Sequence, residues 1–212
     1  MSQLSLFSAD LTPPQLADLG GLMAAHGQLD VGPDGASLSI LFTETWRAEA
    51  LLRECRVRDV PAQIDAIPPG APGQSGPPGG PSGAAGSAPV ALLHVERTQM
   101  LAAMAADWAV GVGKTVPHEL AVTAGLLRCW TLAAGRPADI GFLLGLDPLA
   151  PDTHEPLAAA CAAAGLAGSL LGVRAGGPAV RIVGYRRCSR LAEMIGTPPP
   201  EAPPGAFPLL SH

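Results

Sequence analysis

Aromatic residues make up only 4% of this 212-residue chain, and lysine occurs once, at Lys114, beside twelve arginines. With so few rings the core has to be built from Ala, Leu and Val, and such small side chains predict close helix contacts. A hydrophobic share of 48% is enough for a core at this length. The lysine deficit, in a chain rich in Ala, Gly and Pro, matches the codon bias of a GC-rich bacterial genome and carries no functional message. Paired cysteines are missing as well: Cys55, Cys129, Cys161 and Cys188 stand far apart, with no CxxC. Zinc needs closely spaced thiolates, so no zinc site is expected; reduced, mostly buried thiols are. No basic start followed by an apolar stretch marks a signal peptide, and no apolar run reaches the roughly 18 residues of a membrane span. A cytoplasmic protein is the expectation.

An excess of positive charge is absent too. The net charge of -5 argues against a dedicated polyanion binder, because phosphate neutralisation needs a basic surface. The balance is uneven, however. Residues 1–110 carry 5 basic and 11 acidic groups, whereas 111–212 carry 8 and 7. Five Arg and one Glu fall within 168–196, so an anion-binding face is expected there.

What is present is an order of elements that occurs twice. Thr12-Pro13-Pro14 opens a helix, and Leu16, Leu19, Leu22, Met23 and His26 follow at helical spacing. Gly27 suits the left-handed position after its last turn. Gly20 and Gly21 sit mid-helix at a cost of about 1 kcal/mol each, a cost accepted where another backbone comes close. The contact between the two halves is therefore expected there. A turn at 31–35 precedes a strand from Ser37 to Thr43, with Leu38, Ile40 and Phe42 inward. A helix opened by Thr43 or Thr45 runs to about Arg56, and Pro61 makes Val60 to Ile67 an edge strand. Val90 to Val95 returns, and Arg97 to Trp108 closes the unit with Met100, Leu101, Met104 and Trp108 inward. Residues 68–89 are nearly all Pro, Gly, Ser and Ala, and read as a disordered insertion into a hairpin or as a linker.

The second unit opens with a helix from Pro117 to Gly135 carrying Leu120, Ala124, Leu127 and Leu132. Phe142 to Leu146 is a strand, and Asp152-Thr153-His154-Glu155 reads as a capped helix start. A hairpin of Gly168–Arg174 and Ala179–Gly184 leads to a helix over Arg186–Ile195. The division predicted is a first repeat over 1–110, a second over 111–196 and a Pro-rich tail over 197–212, disordered or loosely docked.

Familiar catalytic patterns are not found. Gly111-Val112-Gly113-Lys114-Thr115 lacks the earlier glycine and the buried strand of a phosphate loop, and reads as a flexible connector. His26, His94, His118 and His154 do not group with acids, and Asp152 and Glu155 are assigned to capping.

Leu19 to Gly27 resembles the nine-residue signature of the LAGLIDADG homing endonucleases at Leu19, Gly21, Leu22, Ala25 and Gly27. The second copy keeps Leu127, Ala133 and Gly135. The order Ala163-Ala164-Gly165-Leu166, Leu170–Val173, Ala179–Gly184, Leu191–Gly196 is similar to the second half of that domain. The resemblance implies an α/β (α+β) protein of two αββαββα repeats related by a pseudo-twofold, with antiparallel sheets and the helices on one face. It also implies an acid before the final glycine of each signature, holding a divalent metal for phosphodiester cleavage. His26 and Ala134 stand at those positions, so the expectation is a scaffold without cofactor, metal or catalysis, as in the WhiA-type bacterial regulators. DNA would lie on the open sheet face, with Arg181 on that face, Arg174 at a hairpin tip, and Arg186, Arg187 and Arg190 following. The alternatives are a protein-interaction module and, more remotely, a metal-dependent nuclease. A monomer with internal pseudo-symmetry is the expected state.

Overall fold

The computed structural model of the chain describes residues 8–67, 90–111, 113–172 and 176–208. A 3-10 turn over Leu16–Leu19 runs straight into helix α1 (Gly20–Ala24). Strands β1 (Gln28–Gly32) and β2 (Gly35–Phe42), helix α2 (Thr45–Arg56), strands β3 (Ala62–Ala66) and β4 (Ala91–Thr98) and helix α3 (Ala102–Trp108) complete the first repeat. A short ribbon, β5 (Ala109–Val110) with β6 (Gly113–Lys114), leads into the second. There α4 (Ala124–Ala134), β7 (Gly135–Pro137), β8 (Phe142–Gly145), α5 (His154–Ala163), β9 (Ser169–Leu171), β10 (Ala179–Ile182) and α6 (Tyr185–Ile195) follow in the same sequence. The two sheets have matching orders, β1-β2-β4-β3 and β7-β8-β10-β9, and every pairing is antiparallel. The αββαββα plan is therefore drawn twice, as the resemblance implied.

Alternation explains which face each strand buries. Leu38, Ile40 and Phe42 on β2 and Leu93 and Val95 on β4 are buried among the helices. Val180 and Ile182 on β10 do the same in the second sheet. On the opposite faces Leu41 of the first sheet is exposed, whereas in the second Arg181 is half-buried and Leu143 buried. Between the sheets α1 and α4 pack at the centre. A Cβ on Gly21 would lie 2.3 Å from the Leu126 carbonyl oxygen and 2.9 Å from Cys129 Cβ, so only hydrogen fits there. Leu19, Leu22, Leu127, Trp130 and Leu132 fill the surrounding core, and Trp130 Nε1 donates to the Gly145 carbonyl at 2.7 Å. The contact expected at Gly20 and Gly21 is present: Gly21 meets α4, and Gly20 leaves room for the Trp108 ring.

A buried ion network ties the other end of the helix pair. Asp18 accepts from Arg58 at 2.8 Å and from the Thr123 hydroxyl at 3.0 Å. Glu54 joins Arg58, at 2.8 Å, to Arg128 of α4, at 2.7 Å. Arg128 in turn donates to the Ile195 and Thr197 carbonyls.

Several elements differ from the sequence reading. The pattern along the chain assigned no residues to β1 and β7, the first strands that the αββαββα plan requires: β1 is a largely exposed edge strand, and β7 has three residues ending in a proline. α4 begins after Thr123, which caps it by accepting from the Leu126 amide, and Leu120 precedes it in a turn. Gly27 is not left-handed. It is small because its amide bonds the Leu22 carbonyl and a Cβ would lie 2.7 Å from that oxygen. Met100 lies 44% exposed in a 3-10 turn rather than inward. Among the described residues no side chain caps the start of α5. The connector at 111–115 carries β6, which pairs back on β5. The tail is docked: Phe207 is buried and Glu201 pairs with Arg53 of α2. The expectation for 68–89 falls outside the described residues. Among the described residues no helix is long and apolar enough to cross a membrane. All four thiols are free; Cys55, Cys129 and Cys161 are buried, and burial pushes the Cys55 and Cys161 thiols up to about 12.

Candidate nucleic-acid interface

The two signature segments end at one cleft of about 380 Å³, whose lining includes His26, Glu44, Arg47, Ala134 and Arg136. His26 and Ala134, the residues at the two metal-binding positions of the resemblance, thus share a wall. His26 Nε2 donates to the Leu41 carbonyl at 2.9 Å. Burial lowers its pKa; the Leu41 carbonyl and Asp147 oppose this, while Lys114 and Arg47 add to it, and the ring is neutral at pH 7.

Each signature helix ends on a cation carried by the chain itself, Lys114 with a buried side chain and Arg47 half-buried. Lys114 Nζ donates to the Met23 carbonyl at 3.0 Å and pairs with Asp147 at 2.5 Å. Both side chains are almost wholly buried, at 7% and 2% exposure. Burial alone would raise the Asp147 carboxyl, but Lys114, the Leu149 amide and Gln28 outweigh it and hold it below the usual carboxylate range. At the second helix Arg47 donates to the Leu132 and Gly135 carbonyls at 2.9 and 2.8 Å, and more distantly to Thr131. The last carbonyls of a helix are left without intrahelical partners, and cations are favoured there.

A divalent metal of the nuclease kind does not fit this arrangement. Hard cations need several oxygen ligands. Here one pole offers a neutral imidazole and the other a methyl group. The adjacent Asp147 is engaged by Lys114, Gln28 and the Leu149 amide. Among the described residues no group of three His, Cys, Asp or Glu is placed to hold a metal.

The open sheet faces differ between the repeats, and strand register gives the comparison residue by residue. Counting from Gly27 and Gly135, Gln28 corresponds to Arg136. Across the first sheet the row through it reads Gln28, Ser39, His94, Gln63. Across the second it reads Arg136, Leu143, Arg181, Ser169. Cross-strand partners point to the same face, so Arg136 and Arg181 flank the buried Leu143 on the side away from the helices. Arg136 also donates to the Gly176 carbonyl at 2.9 Å. Burial and then the nearby Arg47 charge lower its pKa without taking away its charge at neutral pH. Arg181 Nε is buried with no hydrogen-bond partner among the described residues.

Of the five arginines singled out from sequence, the four among the described residues do not form one face. Arg181 is on the open face, as its neighbours' burial predicted. Arg186, Arg187 and Arg190 belong to α6 in the helix layer. There Arg187 donates to the Ala167 carbonyl at 2.6 Å and Arg190 to the Ala164 carbonyl at 2.9 Å, fastening the loop that leaves α5. Arg174 lies outside the described residues. Arg136 was missed because β7 was. Its signal was available: it follows the final signature glycine directly, as Gln28 does. Asp147, Arg47 and Lys114 had no such signal, since each meets its partners only through distant chain segments.

No family model and no curated protein matches the chain in sequence. Solved structures do match in shape. The homing endonuclease I-WcaI bound to its DNA recognition sequence superimposes with a TM-score of 0.59 at 10% identity, covering 91% of this chain and 87% of that one. The N-terminal LAGLIDADG domain of DUF199/WhiA gives a TM-score of 0.52 at 14% identity, covering 87% and 82%. With the duplicated topology and the small-residue helix crossing, these establish that the chain has a LAGLIDADG-like fold of two repeats.

Proposed function

We propose that the protein is a non-catalytic, nucleic-acid-associated regulatory scaffold that meets the nucleic-acid backbone with the open face of its second sheet. The observation that carries this reading is the row Arg136, Leu143, Arg181, set beside the equivalent row of the first sheet, which holds no Arg or Lys. Two guanidiniums from strands on either side of β8 suit phosphates, which arginine binds through its planar fork. Arg174, the further contact expected from the sequence, lies between β9 and β10 outside the described residues. Arg186, Arg187 and Arg190 would act from the flank, if at all, because two of the three hold carbonyls. Donor chemistry supports the absence of catalysis: Lys114 and Arg47 occupy the helix ends that a nuclease would reserve for acids and metal. We further propose action as a monomer in the bacterial cytoplasm, the internal repeat supplying the twofold.

The test is duplex DNA binding followed by fluorescence anisotropy across a salt series. Each phosphate that the protein neutralises adds about -0.9 to the slope of log affinity against log salt. The expected slope is therefore shallow, about -2, and Arg136→Gln/Arg181→Gln should abolish binding. No binding at low salt, or equal binding by the double variant, would overturn the reading. Incubation of the same duplexes with magnesium or manganese is expected to leave them intact; specific cleavage would remove the word non-catalytic.

A further inference from the structure

The open face of the first sheet has a different character. Next to the row Gln28, Ser39, His94, Gln63 lies a second row, in which Leu41, Leu92 and Asp65 are cross-strand neighbours. Leu41 is 46% exposed although it points away from the core on a central strand. From the second repeat, Leu149 reaches the same place at 85% exposure, just beyond Asp147 and Pro148. Leu41, Leu92 and Leu149, with His26 and Gln28, line an open groove of about 670 Å³. The equivalent row of the second sheet is Gly145, Ala179, Leu171, so among the described residues the Leu41–Leu92 pair has no counterpart there. Contiguous exposed leucines lining a concave surface mark an interaction site more often than chance.

The surroundings say what could occupy it. Asp65 stands at one end of the leucine row, and Asp30 and Glu96 are exposed on the same sheet. Asp65 and Glu96 have no ion-pair partner among the described residues. The described part of this face carries no Lys, and the one Arg that reaches it, Arg97, is committed to Asp30 and the Gly35 carbonyl. Phosphates are repelled by such a rim. A second copy docked face to face would set these acids against their own counterparts, which is also unfavourable.

We infer that this groove docks a segment of a protein partner whose apolar side chains are flanked by Lys or Arg. The leucines supply the buried area, and Asp65 and Glu96 give register and sign. The surface lies on the opposite repeat from the Arg136–Arg181 row and stands independently of it. Should both readings hold, the chain would join a basic protein segment to nucleic acid through its two halves.

Three synthetic helical peptides of about 15 residues test this on the full chain, each labelled for anisotropy at near-physiological salt. One carries a Leu stripe flanked by Lys, one the same stripe flanked by Glu, and one the Lys residues with Ser replacing Leu. The Leu/Lys peptide is expected to bind saturably at 1:1 and the other two at least about tenfold more weakly. Leu41→Ser/Leu149→Ser should weaken it about tenfold or more, and Asp65→Asn/Glu96→Gln by a smaller factor. Arg136→Gln/Arg181→Gln should leave it unchanged, which separates this result from the fate of the nucleic-acid reading. If Leu41→Ser disturbs folding, Leu149→Ser alone, at a position of high exposure, serves the purpose. Equal binding of the Leu/Lys and Ser/Lys peptides, or indifference to the leucine changes, would overturn the inference. So would a dimer in sedimentation abolished by Leu149→Ser, or duplex binding lost in the leucine variant, since the face would then belong to a second copy or to nucleic acid.

Discussion

Glycine at position 21 is the residue on which the helix crossing depends. A methyl group there has nowhere to go: its nearest neighbours would be the Leu126 carbonyl oxygen at 2.3 Å and the Trp130 amide nitrogen at 2.6 Å, both backbone. Side chains can rotate away from an added atom, whereas two packed helix backbones have to separate. Gly21→Ala should therefore destabilise the fold by about 3 kcal/mol, at the upper end of ordinary overpacking costs. Chemical denaturation would read this as a lower midpoint with an unchanged slope. Its partner position, Gly125, faces the Asp18 carboxylate at the same 2.3 Å, so small residues are required from both helices. Mid-helix glycines were legible as a sign of close approach, because a helix does not accept their entropy cost without a return. Which backbone approached was not.

Helix ends account for much of the departure from the resembled family. In that family the ends of the signature helices are a place for acids and metal. In this chain α1 ends on Lys114 and α4 on Arg47, from a ribbon and a helix remote in sequence. The Lys114–Asp147 pair is buried at both partners, and removing one member leaves the other charged with no counterion. Lys114→Met is thus expected to cost about 3–5 kcal/mol, and Lys114→Met/Asp147→Asn to recover a substantial part of it. Equilibrium urea unfolding of the three variants measures both. Losses that simply add would show that the two side chains do not act as a pair.

At the scale of the molecule, one backbone plan carries two dissimilar surfaces. Register-matched rows read polar and apolar–acidic in the first repeat, and basic in the second. The halves are held together by more than the crossing. The ion network from Asp18 to Arg128 spans them, and the tail returns from α6 to reach α2 through Glu201 and Arg53. Phe207, 5% exposed, anchors that tail in the core. Phe207→Ala should lower stability by about 2–3 kcal/mol for the lost burial. For a chain of this size that is a fall in Tm on the order of 5–10 °C, measurable by calorimetry. A change within error would mean that the tail is only laid on the surface.

Composition and periodicity were sufficient to determine a small-residue core, the inward faces of β2 and β10, the edge position of β3 and the duplication itself. All of these follow from interactions within one element or from a pattern repeated along the chain. The position of Arg181 on the open face belongs with them, because a strand alternates whatever it packs against. Tertiary structure alone decided that Arg187 and Arg190 would be spent on α5-loop carbonyls and that Lys114 would close α1. It also decided that Leu41, Leu92 and Leu149 would share one groove. Those outcomes depend on which distant backbone groups a long side chain can reach, and local pattern holds no record of that distance.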